Sequence, residues 1–328
     1  MSDKRKNVWL SKELKGFTDF QSKNNEEGKD SHHSIRGDKW DQMGLKELLA
    51  GKHRRLYDSI SRYQDIKIIE AKDIRMYLNE QLQFSSLDER IYHEAFVHIP
   101  MALTQKRKRV LILGGGDGLA LREVLKYKDV KHVDLIDLDG HVLQAAREIP
   151  EMAEMNDRAF FDRRVNAHAM DAVKFVKENK EHYDVIIIDF PDPTVPELAK
   201  LYSAELYNIL YTTLDDEGII VCQSNSVDET PIVFWSIGRT MEAARFHTTA
   251  YHTVIPSFGD WGFQLASKKP LTSRMKRINV PHRTLPDDVG TMFKFPNKIL
   301  SYKRRAVINS ENRLILHEVF NREVGEYL

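Results

Sequence analysis

The pattern of hydrophobic and polar positions divides the chain into four segments. Residues 1–45 are polar and mixed in charge, so they cannot bury much apolar surface, and a partly ordered tail is expected. Residues 46–105 are predicted to form an N-terminal β-domain with a linking helix. Residues 106–268 alternate short apolar runs with helical patterns and predict a Rossmann-like domain. Residues 269–328 contain several prolines and basic stretches, and they are expected to form a C-terminal extension.

The N-terminal β-domain is predicted from patchy apolar–polar alternation. Residues 65–70 and 74–83 show this alternation, which is typical of short antiparallel strands. A helical period follows across residues 87–103 and predicts the linking helix.

The Rossmann-like segment has the clearest pattern in the chain. Apolar runs at residues 109–113, 130–138, 184–189 and 218–222 alternate with helical stretches. Strands alternating with helices predict a parallel, doubly wound sheet. The uninterrupted apolar run at residues 185–188 is typical of a strand that is covered on both faces. The predicted fold class is therefore α/β.

Composition and charge narrow the possible functions. The 328 residues include 49 Lys and Arg against 49 Asp and Glu, so the formal net charge is zero. Binding nucleic acid by bulk attraction needs a basic surplus, so no nucleic-acid partner is expected. The lone cysteine, Cys222, excludes an internal disulfide framework and a cysteine zinc cluster, and no metal is expected. No apolar run approaches the roughly 18 residues that span a bilayer, and no signal-peptide pattern follows the basic N-terminus, so a soluble cytoplasmic protein without a membrane partner is expected.

A glycine-rich turn follows the first Rossmann strand. Gly114, Gly115 and Gly116 precede Asp117, and glycines at this place let the backbone approach a ligand closely. Asp137 lies 23 residues after Gly114, close to the spacing at which an acid binds ribose hydroxyls. The glycines alone do not separate a dinucleotide from an S-adenosyl cofactor. Because Asp117 would repel a pyrophosphate, a cationic cofactor such as S-adenosylmethionine or its decarboxylated form is favoured.

Two further acidic positions follow later strands. Asp171 precedes a helical run and is interpreted as a helix N-cap, as an acceptor for an adenine amino group, or as both. Asp189 and Asp192 lie in the sequence Asp-Phe-Pro-Asp-Pro at the end of the strand at 184–189. Paired carboxylates there would attract a protonated amine, and one of them can accept its proton. The alternative is a proline-stiffened turn with capping aspartates.

These motifs resemble those of the spermidine synthases, the polyamine aminopropyltransferases, over residues 56–268. Besides the glycine turn and the acidic loop, the similar motifs are Ser-Arg-Tyr-Gln-Asp-Ile at 61–66, Asp-Glu-Arg-Ile-Tyr-His-Glu at 88–94 and Gly-Asp-Trp-Gly-Phe at 259–263. The resemblance implies a small N-terminal β-domain on a mostly parallel seven-stranded, methyltransferase-like Rossmann domain, usually as a homodimer or homotetramer. It also implies the reaction, in which decarboxylated S-adenosylmethionine donates a 3-aminopropyl group to a polyamine such as putrescine and leaves 5′-methylthioadenosine.

The resemblance assigns a role to each matching residue. The cofactor-binding residues would be Gln64, Gln83, Gly114, Gly115, Gly116, Asp117, Asp137, Asp171 and Ala172. The catalytic residues would be Asp189 as the base, Asp192 beside it and Tyr92. The substrate-binding residues would be His93, Asp192, Gln223 and Trp261. In these assignments Asp117 binds the aminopropyl ammonium, Asp137 the ribose and Asp171 the adenine.

The chain departs from the family pattern mainly on the acceptor side. Asp137 stands where the family usually has a glutamate. Gln223 begins Gln-Ser-Asn where the family often has Gln-Gly-Glu, and Pro256 falls on a family tyrosine. The segment Pro-Ser-Phe-Gly-Asp-Trp-Gly-Phe at 256–263 and the C-terminal extension are more similar to the spermidine synthase-like domain that is often fused to membrane helices. Two alternatives stay open: an S-adenosylmethionine-dependent methyltransferase, and a non-catalytic homologue that binds a nucleoside or polyamine.

Overall fold

A helix and a small antiparallel sheet begin the part of the chain that the structure describes. This computed structural model describes residues 39–271 and 275–327, so most of the predicted tail lies outside the described residues. Helix α1 is Lys39–Ala50. The sheet consists of β1 (Arg54–Ile60), β2 (Asp65–Glu70), β3 (Ile74–Leu78) and β4 (Gln81–Ser85), in that order and all antiparallel. These strands confirm the predicted N-terminal β-domain.

Two details of the small sheet differ from the prediction. The segment 74–83 is not one strand, because the chain reverses at Asn79 and Glu80, whose φ angles are 49° and 66°. Two successive residues with positive φ are typical of a tight hairpin turn. The apolar–polar alternation of the segment does not predict this turn. Strand β1 was not predicted because no residue of it is fully buried, which leaves its sequence without a strong apolar alternation.

The linking helix connects the two sheets. Helix α2 is Glu89–Leu103, and all but three of its fifteen residues are buried, including Glu89, His93 and His98. It packs against the second sheet and the helix that follows the first strand of that sheet. Buried charged groups on such a helix need partners, and these lie next to the candidate site.

The second sheet has seven strands and confirms the predicted α/β fold. Its strands are β5 (Arg109–Gly114), β6 (His132–Asp137), β7 (Val165–Ala169), β8 (Tyr183–Asp189), β9 (Leu214–Ser226), β10 (His247–Ile255) and β11 (Gly259–Ser267). Their order is β10-β11-β9-β8-β5-β6-β7. Strands β5 to β9 pair in parallel, whereas β10 and β11 form an antiparallel hairpin at one edge.

Helices cover both faces of the seven-stranded sheet. They are α3 (Leu119–Leu125), α4 (Gly140–Glu148), α5 (Pro150–Met155), α6 (Ala172–Glu178), α7 (Pro196–Ala199), α8 (Ala204–Thr213) and α9 (Pro231–Ala243). Val185 and Ile187 belong to one hydrophobic core, whereas Ile186 and Ile188 belong to the other. Successive residues of β8 thus face opposite layers, which explains why its sequence is continuously apolar.

The C-terminal segment packs onto both of these cores, with Met292 in the first and Leu316 in the second. It contains α10 (Asn297–Ser301) and α11 (Leu316–Tyr327). Leu316 is fully buried there, and the Glu323 carboxylate accepts the backbone N–H groups of Ile232 and Val233 at the start of α9. In the described ranges, no helix has the length and apolar character needed to cross a membrane.

Candidate active site

One cavity lies at the carboxyl ends of the parallel strands, where the fold predicts a ligand site. Its volume is about 390 Å³, and the small N-terminal sheet contributes part of its wall. The wall includes every residue that the sequence nominated: Gln64, Gln83, Tyr92, His93, Gly114, Gly115, Gly116, Asp117, Asp137, Asp171, Ala172, Asp189, Asp192, Gln223 and Trp261. The three acids Asp117, Asp189 and Asp192 therefore share one cavity, as the electrostatic argument requires. The individual roles of these residues stay predictions.

The glycine-rich turn is close to the acids on either side of it. Gly114 has φ of 82°, and a Cβ on it would lie 2.1 Å from the backbone oxygen of Asp189. At Gly116 a Cβ would lie 2.6 Å from Asp137 Oδ2. Any side chain would therefore push apart β5, β6 or β8 at the cavity floor. Glycine at these two positions is what brings three strand ends close enough to share one ligand.

Asp137 ends β6 with both carboxylate oxygens held by the backbone. The N–H of Gly116 donates to Oδ2 at 2.9 Å, and the N–H of Asp139 donates to Oδ1 at 2.9 Å. Burial, together with the neighbouring charge of Asp139, raises the pKa of Asp137 to about 7 despite these bonds. Hydroxyl groups that donate hydrogen bonds to Asp137 would favour its ionised form. The carboxylate is therefore suited to bind the two hydroxyls of a ribose.

The other predicted cofactor residues lie around the same end of the cavity. Asp171 is exposed and accepts the N–H of Lys174 at 2.9 Å, so the helix N-cap interpretation is confirmed. Its second oxygen has no partner among the described residues, which leaves it available to an adenine amino group. Gln64 donates to Asp139 Oδ2 at 3.0 Å, and Gln83 donates to the backbone oxygen of Gln81 at 3.1 Å.

Asp189 ends β8 and is bonded to the linking helix. Tyr92 donates its hydroxyl to Asp189 Oδ1 at 2.6 Å. Burial and the negative charge of Asp117 raise the pKa of Asp189 to about 6, against the opposing effect of His93 and Tyr92. Burial and Asp189 hold the pKa of Tyr92 well above its ordinary value, so the tyrosine remains the donor. A carboxylate with a pKa of this size can accept a proton at neutral pH and release it again.

Asp117 faces the same region from the glycine turn. Its Oδ1 accepts the N–H of Leu119 at 2.7 Å. Burial raises the pKa of Asp117, and the cationic form of His93 opposes that rise. Two enclosed carboxylates that repel each other make this part of the cavity attractive to a cation.

Asp192 is fixed by two amides on opposite sides of the cavity. Gln81 donates to its Oδ2 at 3.0 Å from strand β4, and Gln223 Nε2 lies 3.4 Å from its Oδ1. The same Gln223 nitrogen donates to the backbone oxygen of Phe190 at 2.6 Å, and Tyr202 donates to the backbone oxygens of Phe190 and Pro191 at 3.0 Å each. Gln223 thus holds the acidic loop in shape, in addition to lining the cavity.

Aromatic side chains line the cavity next to Tyr92. Trp261 and Phe258 lie with ring centroids 5.3 Å apart, and Phe258 contacts Tyr92 edge-on. The Trp261 Nε1 atom is buried and has no hydrogen-bond partner within the described part of the chain. The ring faces offer a surface on which a substrate cation can pack.

Several residues that line the cavity were not singled out from the sequence. The polar ones include Gln81, Asp139 and Glu197. Of these, Asp139 had the strongest signal in the sequence, because an aspartate directly before a helical run is a typical N-cap. In the structure it caps α4 by accepting the N–H of His141. The contact of Gln81 with Asp192 joins residues 111 positions apart and has no local signal. Among the residues that the structure describes, no group of three or more His, Cys, Asp or Glu side chains is placed to hold a metal ion.

Comparisons with known proteins identify the family of the chain. The model of the spermine/spermidine synthase domain matches residues 89–276. Polyamine aminopropyltransferase 2 of Bacillus anthracis is 49% identical over 299 residues, which cover 90% of this chain and 82% of the relative.

Two solved structures share the fold. A spermidine synthase in complex with the transition-state analogue AdoDATO matches with a TM-score of 0.72 and 28% identity, over 77% of this chain and 89% of the other. The spermidine synthase of Thermotoga maritima matches with a TM-score of 0.70 and 29% identity, over 77% and 88%. Sequence family, fold and strand-end cavity thus agree, and the chain belongs to the spermine/spermidine synthase family.

Proposed function

We infer that the protein is a polyamine aminopropyltransferase. It moves a 3-aminopropyl group from decarboxylated S-adenosylmethionine to a polyamine such as putrescine, and it releases 5′-methylthioadenosine. The observation that carries this function is the single cavity in which the glycine turn, Asp137 and the acids Asp117, Asp189 and Asp192 all meet. The relatives named polyamine aminopropyltransferase and the neighbour bound to AdoDATO support the same reaction.

The donor is proposed to lie along the ends of β5 and β6. Asp137 would accept the ribose hydroxyls, Asp171 the adenine amino group and Asp117 the ammonium of the aminopropyl chain. Gln64, Gln83 and Ala172 would complete the wall, while the glycines let the sulfonium approach the backbone. A donor with two positive charges fits a cavity floor whose carboxylates otherwise repel each other.

The acceptor amine is proposed to enter between Asp189, Asp192 and Trp261. Its nitrogen attacks the methylene carbon next to the sulfonium, a new C–N bond forms, and the C–S bond breaks. The sulfur keeps the bonding electron pair and leaves as a neutral thioether. Before the attack, Asp189, which Tyr92 orients, accepts the proton that the amine carries on entry, because an ammonium nitrogen has no lone pair. Positioning of the two reactants and this proton transfer are the two sources of rate enhancement.

Turnover with a panel of amines tests the proposed function. The protein is incubated with decarboxylated S-adenosylmethionine and each of several di- and triamines, and 5′-methylthioadenosine is quantified. The expected result is equimolar 5′-methylthioadenosine and aminopropylated amine with at least one acceptor. Binding without turnover across the whole panel would instead favour the non-catalytic alternative.

We expect the rate to fall on the acidic side of neutrality. The pKa values of Asp137 and Asp189 are raised to about 7 and about 6, and each acts as a carboxylate, so their active forms are lost as the pH falls through those values. The measurement is the initial rate at subsaturating donor and amine, because this rate reports the protonation state of the free enzyme. The rate should decline below about pH 7 and more steeply below about pH 6. A constant rate between pH 8 and pH 5 would contradict the assignment of these acids.

Product binding separates an aminopropyltransferase from a methyltransferase. 5′-Methylthioadenosine lacks the amino-acid end that S-adenosylhomocysteine carries, and that end would place a carboxylate near Asp117. Isothermal titration calorimetry should therefore show tighter binding of 5′-methylthioadenosine. Tighter binding of S-adenosylhomocysteine would favour the methyltransferase.

The remaining assignments stay proposals on the same basis. We propose a homodimer or homotetramer in the cytoplasm, with a small polyamine as the partner molecule and no nucleic acid, membrane or metal. The division into segments 1–45, 46–105, 106–268 and 269–328 is kept as a proposal too, with the qualification that α1 extends across residue 45.

A further inference from the structure

A buried ion-pair network lies directly behind the cavity. His93 lines the cavity, and its Nδ1 lies 2.7 Å from the backbone oxygen of Glu89 and 3.0 Å from Glu89 Oε2. Both partners are acceptors, so Nδ1 carries a hydrogen. The other ring nitrogen, Nε2, then carries a lone pair in the neutral ring or a second proton in the cationic ring.

Glu89 is itself held rigidly by Arg122. The guanidinium donates from its two terminal nitrogens to the two Glu89 oxygens at 2.8 Å each. Arg122 also donates to the backbone oxygen of Met155 at 2.6 Å and to Glu123 at 2.8 Å. The side chains of Glu89 and Arg122 are 4% and 1% exposed. A bidentate, buried pair with this many bonds cannot turn away from His93 without leaving charges unpaired.

Three carboxylates act on the His93 ring. Glu89 bonds to it from the same helix, and the charges of Asp117 and Asp189, which line the same cavity, act on it as well. These three carboxylates together raise the pKa of His93 against the effect of burial. In turn, the imidazolium lowers the pKa of Asp117 and of Asp189. The neutral hydroxyl of Tyr92 completes the surroundings.

We propose that Glu89, clamped by Arg122, is a positioning residue that fixes the His93 ring at the cavity wall as the cation that keeps Asp189 ionised beside Asp117. This inference rests on the proposed function, because it concerns how the base stays available for the amine proton. Without a fixed cation, burial and the charge of Asp117 would favour the protonated form of Asp189, and the base would more often be occupied when the amine arrives.

The chain contains a matched control on the same helix. His98 is also fully buried, and its Nε2 lies 2.9 Å from Glu123 Oε2. Both histidines thus pair with a buried glutamate, but only His93 lines the cavity. The variants are therefore Glu89→Gln, His93→Gln and His98→Gln. His93→Gln removes the cation without leaving Arg122 unpaired, so it serves if Glu89→Gln does not fold.

The first readout is the titration of His93, followed by NMR in the full chain without ligand. Glu89→Gln is expected to lower the pKa of His93, because it removes the carboxylate that bonds to the ring. The second readout is the pH dependence of the rate. Glu89→Gln and His93→Gln should move the acidic fall in the rate to higher pH by about one unit, whereas His98→Gln should not move it. In Glu89→Gln the rate should recover towards that of the unsubstituted protein at high pH.

Any one of the following results would overturn the inference: an unchanged His93 titration in Glu89→Gln, an acidic fall in the rate that does not move, or an equal shift in His98→Gln. A rate lowered equally at every pH would also overturn it, since that is what a purely structural role predicts. Absence of turnover in the unsubstituted protein rejects the proposed function instead, and the His93 titration then decides the positioning role alone.

Discussion

Asp189→Asn is expected to lower turnover at least about a hundredfold, because the amide cannot accept the proton that leaves the attacking nitrogen. The position, hydrogen bonding and pKa of Asp189 all suit the role of a base. Its carboxylate is at the end of β8, bonded to Tyr92 at 2.6 Å, and its pKa of about 6 suits proton transfer at neutral pH. Asn keeps the shape and one acceptor oxygen, so the loss reports the proton transfer rather than the fold.

The measurement is the rate of 5′-methylthioadenosine release at saturating donor and amine. Asp184→Asn is a suitable control, since Asp184 lies in the same strand and accepts the backbone N–H groups of Lys108 and Arg109 far from the cavity. The control should keep near-normal turnover. If Asp189→Asn keeps it as well, Asp189 is not the base.

Asp117→Asn is expected to weaken donor binding about ten- to a hundredfold. A hydrogen bond to a charged group contributes about 1.5–3 kcal/mol, and about 1.4 kcal/mol corresponds to a factor of ten in affinity. Asn still has an oxygen that can accept the Leu119 N–H, which the aspartate accepts at 2.7 Å, so the glycine turn should keep its shape. The change therefore removes the negative charge and little else.

The affinity for 5′-methylthioadenosine provides the internal control. This product has no aminopropyl ammonium, so its binding to Asp117→Asn should be nearly unchanged while binding of decarboxylated S-adenosylmethionine weakens. An equal loss for both ligands would place Asp117 at the nucleoside rather than at the ammonium. No loss for either would remove Asp117 from donor binding.

The sheet was predictable where local pattern and burial coincide. Strand β8 combines a continuous apolar run with burial on both faces, and the sequence places it to within one residue. Strand β1 is only partly buried, so its side chains carry no strong apolar signal. The hairpin at Asn79 depends on backbone angles that these side chains do not specify.

The sequence predicted the motif residues that line the candidate site, but it did not predict the contacts that hold these residues in place. The glycines and the strand-end acids are marked by residue type and spacing, and all of them line one cavity. The contacts that hold them in place join distant parts of the chain. Tyr92 and Asp189 are 97 positions apart, and Glu89 and Arg122 are 33 apart. Such partners are fixed by how α2 packs on the sheet, which no local pattern records.

The most direct test of the central claim is a crystal structure of the protein with 5′-methylthioadenosine and the preferred amine bound together. The attacking nitrogen should lie within hydrogen-bond distance of the Asp189 carboxylate and point towards the thioether sulfur, with the ribose on Asp137. An amine bound elsewhere, or a nucleoside outside the cavity between β5, β6 and β8, would contradict the account.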